Sequence, residues 1–322
     1  MATDPVRPSE AGTGPQVPNV AGFPAVPSGG DDPPKTPPDH GGAPRPPIPP
    51  GRTGRNLPVA IGVGAILGGL VFLTLLTVKA TFLIYLGVAI AIALAELAGA
   101  FAKRGIEIPV IPVAAGGAAI VTCMYWLGSR AVLAALALTV VVIFAWRLPG
   151  GPSGYVKDVT AGVFAVLYLP FLASFVAAML APADGPRRVL TFIILTVSSD
   201  IGGYFAGITL GRAGRHLMAP VISPKKTWEG FAGSAVACLV AGWLCVTLML
   251  HGHAWQGLLL GAAAVLAAIL GDLVESVIKR DLDIKDMGTL LPGHGGLLER
   301  LDSLLVLAPV AWLLLYLFIP AS

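Results

Sequence analysis

The chain has 322 residues, of which 55% are hydrophobic and 12% are charged, and its mean hydropathy is +0.80. Soluble domains carry about 25% charged residues, so this composition excludes an ordinary globular protein and indicates a polytopic membrane protein. The formal net charge of +3 and the lack of a block rich in lysine and arginine argue against a nucleic-acid-binding protein.

The first 56 residues differ in composition from the rest of the chain. Fifteen of the 28 prolines fall within the first fifty positions, among glycine, aspartate and serine residues. Such a segment buries too little apolar surface to offset the entropy that it loses on ordering. The sequence therefore predicts a disordered, proline-rich tail over 1–56.

From residue 57 onward, long apolar runs alternate with short polar breaks. Most runs reach the roughly 20 residues that a helix needs to cross about 30 Å of hydrocarbon, and backbone hydrogen bonding in lipid favours helices. We predict an all-α membrane protein with about nine spans, five in an N-terminal region (57–187) and four in a C-terminal region (188–322). The predicted spans are 57–78, 80–102, 108–128, 130–147, 158–181, 188–210, 229–250, 256–278 and 303–319.

The basic residues predict how these spans are oriented. With the N-terminus inside, seventeen lysines and arginines fall in inner segments and four in outer segments, out of 21 in total. Basic residues concentrate on the cytoplasmic side of membrane proteins. The count predicts a cytoplasmic N-terminus, an external C-terminus, and two cytoplasmic loops at 211–228 and 279–302.

The last predicted loop follows a span that carries an acidic residue at membrane depth. Asp272 shares one helix face with Ser276 and Lys279, and an ionised carboxylate there needs a partner. One interpretation is a structural ion pair with Lys279. The other is a Mg²⁺ site in which Asp272 joins Glu299 and Asp302, because carboxylates are hard oxygen ligands.

The same loop contains the glycine-rich turn "PGHGG" (292–296). Glycines let backbone N–H groups approach an anion closely, although such a turn also occurs as a plain loop. His294 could donate to a phosphate, act as an acid, or cap the turn. The cations around the turn favour a phosphate site; they are Lys279, Arg280, Lys285 and Arg300.

The loop at 211–228 contains "SPKKTWEG" (223–230), with hydroxyls on Ser223 and Thr227 and positive charges on Lys225 and Lys226. Thr227 is also placed to cap the following helix. Upstream, Asp200 lies at membrane depth in "SSDIGGYFAG" (198–207), where the glycines favour close helix packing. Asp200 could serve as a structural partner or as a site residue.

Two loops on one side thus combine carboxylates, cations and glycine turns. This combination is typical of phosphoryl or nucleotidyl transfer, in which a divalent metal neutralises a polyphosphate. A site at the membrane implies a lipid as the second substrate. A different interpretation is an ion-coupled transporter that uses Asp200, Asp272 and Glu96, although the charges crowd into the loops.

The motifs resemble those of a known family. Ser276-x-Ile278-Lys279-Arg280, Lys285-Asp286, Pro292-x-His294-Gly295-Gly296 and Arg300-Leu301-Asp302 are similar to the signature of phosphatidate cytidylyltransferases, which are CDP-diacylglycerol synthases. "SPKKTWEG" and Asp200 with Gly203-Tyr204 resemble two further blocks of that family. The resemblance covers about 195–303, and the chain departs from the family pattern at Glu299, where an aspartate is usual.

The resemblance implies a CTP-dependent enzyme of the plasma membrane that makes CDP-diacylglycerol and pyrophosphate for phospholipid biosynthesis. It also implies a homodimer, with Mg²⁺ and a second cation, K⁺. A cytidylyltransferase acting on another lipid phosphate is the nearest alternative. The expected catalytic residues are Lys279, Arg280, Asp286 and His294; the substrate-binding residues are Asp200, Ser223, Lys225, Lys226, Thr227, Ser276, Lys285, Gly295, Gly296 and Arg300; the metal ligands are Asp272, Glu299 and Asp302.

Overall fold

The computed structural model describes residues 57–210, 216–219, 223–288 and 295–320, and the predicted tail over 1–56 lies outside them. Within these ranges a helix occupies each position where a span was predicted. The elements are α1 (Leu57–Thr77), α2 (Lys79–Ala102), α3 (Val110–Trp126), α4 (Ser129–Arg147), α5 (Tyr155–Val166), α6 (Leu172–Leu180), α7 (Gly185–Thr209), β1 (Leu217–Ala219), β2 (Ser223–Thr227), α8 (Trp228–Leu244), α9 (Ala254–Asp281) and α10 (Leu298–Phe318).

Two π-helical turns lengthen the shorter helices. Leu167–Phe171 joins α5 and α6 into one rod, and Cys245–Met249 continues α8. With these turns included, the described residues contain seven helices long and apolar enough to cross a membrane. The shorter α3 is also apolar, with 17 residues. The prediction of an all-α, polytopic membrane protein is confirmed, with nine as an approximate number of spans.

The helices on either side of the last polar loop are longer than hydropathy predicts. α9 continues to Asp281 and α10 already begins at Leu298. Hydropathy falls at the first charged side chains, whereas helical hydrogen bonding continues past them. As a result, Lys279, Glu299 and Asp302 are held on helices, and helices position side chains more precisely than loops do.

Glycines allow α8, α9 and α10 to approach one another closely. A Cβ atom on Gly271 of α9 would lie 2.6 Å from the carbonyl oxygen of Asp302 on α10. Likewise, a Cβ on Gly261 of α9 would collide with the backbone of Cys238 on α8. Small residues at such crossings replace side-chain bulk with direct backbone contact. The approach at Gly271 brings the acidic residues of α9 and α10 together.

The glycines of α7 provide a test of close packing. A Cβ on Gly202 would lie 2.6 Å from the carbonyl oxygen of Gly233 on α8, whereas nothing described lies within 4 Å of a Cβ on Gly207. We expect Gly202→Ala to lower the free energy of unfolding by about 1–3 kcal/mol through overpacking. Gly207→Ala, on the same helix, should leave it unchanged or raise it slightly. Unfolding in detergent measures both variants, and equal effects would contradict this account.

A short hairpin replaces part of the loop predicted at 211–228. β1 and β2 pair in antiparallel fashion, with Leu217 opposite Thr227. Thr227 then caps α8, because its hydroxyl oxygen accepts a hydrogen bond of 3.1 Å from the backbone N–H of Gly230. The capping role predicted for Thr227 is confirmed. The hairpin and the cap together orient the residue before the cap, Lys226.

At the opposite end of the bundle, a buried ion pair anchors the last helix. Arg188 of α7 is only 4% exposed, and its Nε donates to both carboxylate oxygens of Asp184 at 2.9 Å. The guanidinium also donates to the carbonyl oxygens of Leu315, Ile319 and Pro320 at 3.4, 2.9 and 3.0 Å. Arg188, one of the four basic residues predicted to lie in outer segments, is therefore part of the core.

Candidate active site

An ion pair between Lys226 and Asp272 joins the first polar loop to α9. Lys226 ends the hairpin just before α8, and its ammonium group donates to the carboxylate of Asp272 on α9. The second oxygen of Asp272 accepts a 2.8 Å hydrogen bond from the hydroxyl of Ser303 on α10. Asp272 on α9 thus contacts the hairpin and α10. It pairs with Lys226 rather than with Lys279.

Three carboxylates lie together where α9 crosses α10. Glu275 is one helical turn from Asp272, and the carboxylate of Asp302 is close enough to interact electrostatically with both. Asp302 and Glu275 are 7% and 3% exposed. The backbone N–H of Ser303 donates to Asp302 at 2.6 Å. Burying three acidic groups side by side is costly unless cations or protons compensate their charge.

Lys279 joins this cluster to the glycine-rich loop. Its ammonium group donates to Glu275 at 3.0 Å and to Glu299 at 3.3 Å. The carboxylate of Glu299 also accepts hydrogen bonds from the backbone N–H groups of Met287, at 3.4 Å, and Gly296, at 3.3 Å. Lys279 and Glu299 therefore form a second polar layer next to the carboxylates.

Two buried polar atoms at the cluster have no hydrogen-bonding partner among the described residues. They are one carboxylate oxygen of Glu275 and the hydroxyl of Tyr168, which lies in the π-helical turn after α5. Tyr168 is close enough to the cluster to interact electrostatically with Asp302, Glu275 and Asp272. Buried polar atoms normally have a partner, so these two leave room for water, an ion or substrate.

The cluster suits a hard cation in its chemistry, although the side chains are not arranged as a formed site. Carboxylate oxygens are the ligands that Mg²⁺ prefers, and the unpartnered oxygen of Glu275 is available. Over the residues that the structure describes, no group of three Asp, Glu, His or Cys side chains has the arrangement of a metal site. Of the three predicted ligands, Asp272 and Asp302 lie together and Glu299 bonds to Lys279.

A cavity of about 220 Å³ opens beside Asp272, between the hairpin and helices α7, α8 and α9. Its walls combine backbone exposed at glycines with a few charged and hydroxyl groups. The polar residues that line it are Ser199, Asp200, Tyr204, Lys226, Thr227, Ser234 and Asp272. The cavity is polar, and Lys226 is the cation in its lining that could contact a phosphate group of a ligand.

Comparison with known proteins identifies the family. Residues 59–318 match the sequence profile of the family described as "Cytidylyltransferase family". The chain belongs to this cytidylyltransferase family. The enzyme is therefore a nucleotidyltransferase embedded in a membrane, as its motifs and apolar helices predict.

Several relatives are named phosphatidate cytidylyltransferase. The phosphatidate cytidylyltransferase of Mycobacterium leprae is 42% identical over 280 residues, covering 82% of this chain and 89% of that protein. That of Mycobacterium tuberculosis H37Rv is 42% identical over 277 residues, covering 82% and 84%. A phosphatidate cytidylyltransferase of Haemophilus influenzae is 35% identical over 151 residues, covering 44% and 51%.

The structure brings some of the predicted residues together and leaves others apart. Among the substrate-binding candidates, Asp200, Lys226 and Thr227 line the cavity. Gly295 has φ +82°, a conformation that favours glycine. Ser223 and Ser276 are half-buried, whereas Arg280, Lys285, Asp286 and Arg300 are exposed, and the roles assigned to all of these stay predictions. His294 and the side chain of Lys225 lie outside the described residues.

Sequence reasoning did not assign three residues that the structure places at or next to the cluster, Ser303, Glu275 and Tyr168. It also did not decide whether Glu96 reaches the polar pocket. Glu275 lies one turn from Asp272 and could have been found from that spacing. Ser303 directly follows Asp302. Tyr168 and Glu96 lie on distant apolar spans, so their positions depend on tertiary packing that no local pattern reveals.

Proposed function

We propose that this cytidylyltransferase transfers the cytidylyl group of CTP to phosphatidate, producing CDP-diacylglycerol and pyrophosphate. The observation that carries the proposal is the meeting of Lys226 with Asp272, which unites a phosphate-binding cation and a carboxylate cluster at one cavity. The names of the mycobacterial relatives support phosphatidate as the lipid substrate. CTP is supported by the family.

The proposed reaction needs no protein nucleophile. A phosphate oxygen of phosphatidate attacks the α-phosphorus of CTP, and the bond between that phosphorus and the oxygen bridging to the β-phosphate breaks. Pyrophosphate leaves with the electron pair of the broken bond. Lys226 and Lys279 lie at the cavity and the cluster, where positive charge offsets charge on the phosphates. Binding both substrates at one place supplies proximity and orientation.

We propose Mg²⁺ as the cation of the carboxylate cluster, with K⁺ as a second cation. Asp272 and Asp302, joined by Glu275, would hold Mg²⁺, which when bound neutralises phosphate charge. The predicted ligand Glu299 stays a candidate for the second cation; in the structure its carboxylate accepts hydrogen bonds from Lys279 and from two backbone N–H groups. In this role Ser303 keeps Asp272 oriented toward the cluster.

The location of the site agrees with a lipid substrate. Lys226 directly precedes the cap of α8 and Asp272 lies within α9, and both helices are apolar enough to cross a membrane, so a lipid can reach the site sideways from the bilayer. The distribution of basic residues supports a cytoplasmic site and N-terminus and an external C-terminus. We also propose the plasma membrane as the location and a homodimer as the assembly, both on the basis of the sequence resemblance.

The decisive experiment measures turnover of radiolabelled CTP by purified protein reconstituted in liposomes. With phosphatidate and Mg²⁺ we expect CDP-diacylglycerol and pyrophosphate in equal amounts, and no product after chelation of the metal. A phosphorylated isoprenoid ether lipid serves as the competing substrate. Faster turnover of that lipid would assign the enzyme to another lipid phosphate, and no turnover of any lipid phosphate would overturn the proposal.

A further inference from the structure

A glutamate from a distant span caps the helix that begins at the active site. Glu96 lies near the end of α2, and its two carboxylate oxygens accept hydrogen bonds from successive backbone N–H groups of α10. The donors are Leu297, at 3.0 Å, and Leu298, at 2.9 Å. Leu297 provides no side-chain cap of its own. The first N–H groups of a helix have no partner within it, so Glu96 satisfies two of them.

Two glycines make room for this carboxylate. A Cβ atom on Gly296 would lie 2.7 Å from one oxygen of Glu96, and a Cβ on Gly288 would collide with the other oxygen. The three atoms nearest to such a Cβ at Gly288 all belong to Glu96. Gly288 precedes the glycine-rich turn, and Gly296 is the last residue of that turn. Glu96 therefore lies against Gly288 and Gly296 as well as the start of α10.

The position of α10 determines where two acidic residues of the site lie. Glu299 is in the first turn of α10, next to Leu298, and Asp302 follows one turn later. Asp302 must stay within reach of Asp272 on α9, and misplacement of reacting groups by about 1 Å can reduce a rate about a hundredfold. Whatever fixes the first turn of α10 therefore fixes the carboxylate cluster.

We propose that Glu96 is a positioning residue for cytidylyl transfer, holding Gly288, Gly296 and the start of α10 in register with α9. The proposal rests on the function proposed above. Glu96 acts through backbone N–H groups and touches neither substrate. Its role explains why Gly288 and Gly296 carry no side chain at the points where the carboxylate approaches them.

A double-mutant cycle between Glu96 and Gly288 tests the proposal in the full, reconstituted chain. Glu96→Ala should lower kcat by about 10- to 100-fold, as loss of an orienting group does, while the KM for CTP changes by less than roughly threefold. Gly288→Ala alone should also lower kcat, because the new Cβ displaces the carboxylate. In the Glu96→Ala background the space is free, so Gly288→Ala should add almost nothing. Losses that simply multiply would overturn the proposal.

Two controls separate positioning from general damage. Glu96→Gln keeps the size of the side chain but turns an amide NH₂ toward one N–H donor, so an intermediate loss of kcat is expected in a folded protein. Glu107→Gln, at an exposed glutamate in the turn after α2, should leave kcat unchanged. Full activity of both Glu96→Gln and Glu96→Ala would exclude a positioning role.

Hydrogen exchange provides a readout that does not depend on turnover. In the wild-type protein the backbone N–H groups of Leu297 and Leu298 donate hydrogen bonds to Glu96, so these amide hydrogens should exchange slowly. In the Glu96→Ala variant we expect the same amides to exchange at least tenfold faster. Unchanged exchange contradicts the capping geometry itself. If Glu96→Ala speeds exchange but the wild-type protein makes no CDP-diacylglycerol, the capping by Glu96 is confirmed and the proposed function is refuted.

Discussion

Replacing Asp272 with asparagine should reduce the formation of CDP-diacylglycerol by about a hundredfold or more. Asparagine has nearly the same shape and can still accept the hydrogen bond from Ser303, so the substitution mainly removes the charge. Loss of one preorganised group that stabilises transition-state charge lowers kcat by about 10²–10³-fold. Because Asp272 also orients Lys226, we expect kcat to fall more than the KM for CTP rises.

Asp281→Asn is the matched control for this substitution. Asp281 ends the same helix and is exposed, so the control removes an identical charge outside the carboxylate cluster. Initial rates with radiolabelled CTP, measured over a range of Mg²⁺ concentrations, compare the two variants. Equal rates for Asp272→Asn and Asp281→Asn would remove Asp272 from the active site while leaving the enzyme's family membership unaffected.

Replacing Arg188 with alanine should lower the free energy of unfolding by about 3–5 kcal/mol, the cost of breaking a buried ion pair from one side. The substitution leaves the carboxylate of Asp184, whose side chain is 7% exposed, without its guanidinium partner. It also removes donors from the carbonyl groups of Leu315, Ile319 and Pro320. Unfolding of the purified protein in detergent, followed by circular dichroism, measures the effect.

The neighbouring residue provides the control for Arg188. Arg187 precedes it on α7 and is exposed, so Arg187→Ala removes the same side chain without breaking a buried pair. A surface substitution of this kind changes stability by less than about 0.5 kcal/mol. If both variants unfold alike, the bonds of Arg188 do not hold α10 in place.

The helices and the general location of the site could be predicted from the sequence because both depend on local patterns. The hydropathy of each residue indicates how well it is accommodated in lipid, so apolar runs identify the spanning helices. The charged residues at 223–230 and 276–303 are conspicuous because the rest of the chain carries few charges. Spacing along one helix placed Asp272 on the face of Lys279. These inferences need no knowledge of which helices are neighbours.

The partners of the charged side chains could not be predicted, because helix packing decides them. Lys226 could have bound any carboxylate at the same end of the bundle, and only the crossing of α8 and α9 selects Asp272. Hydropathy treats Glu96 as an isolated acid on α2, although its partners lie about two hundred positions away. The hairpin at 217–227 was missed because a two-stranded pairing this short leaves little pattern in a polar loop.

The last helix is held at both ends by charges that other helices provide. The carboxylate of Glu96 on α2 lies at its first N–H groups, and the guanidinium of Arg188 on α7 lies at its last carbonyl groups. Each sign complements the helix macrodipole, which is positive at the N-terminus and negative at the C-terminus. A piston-like shift of α10 by one turn, about 5.4 Å, would break both sets of bonds at once. Axial sliding of α10 is therefore opposed at both of its ends, and the carboxylates that it carries keep their height relative to α2 and α7.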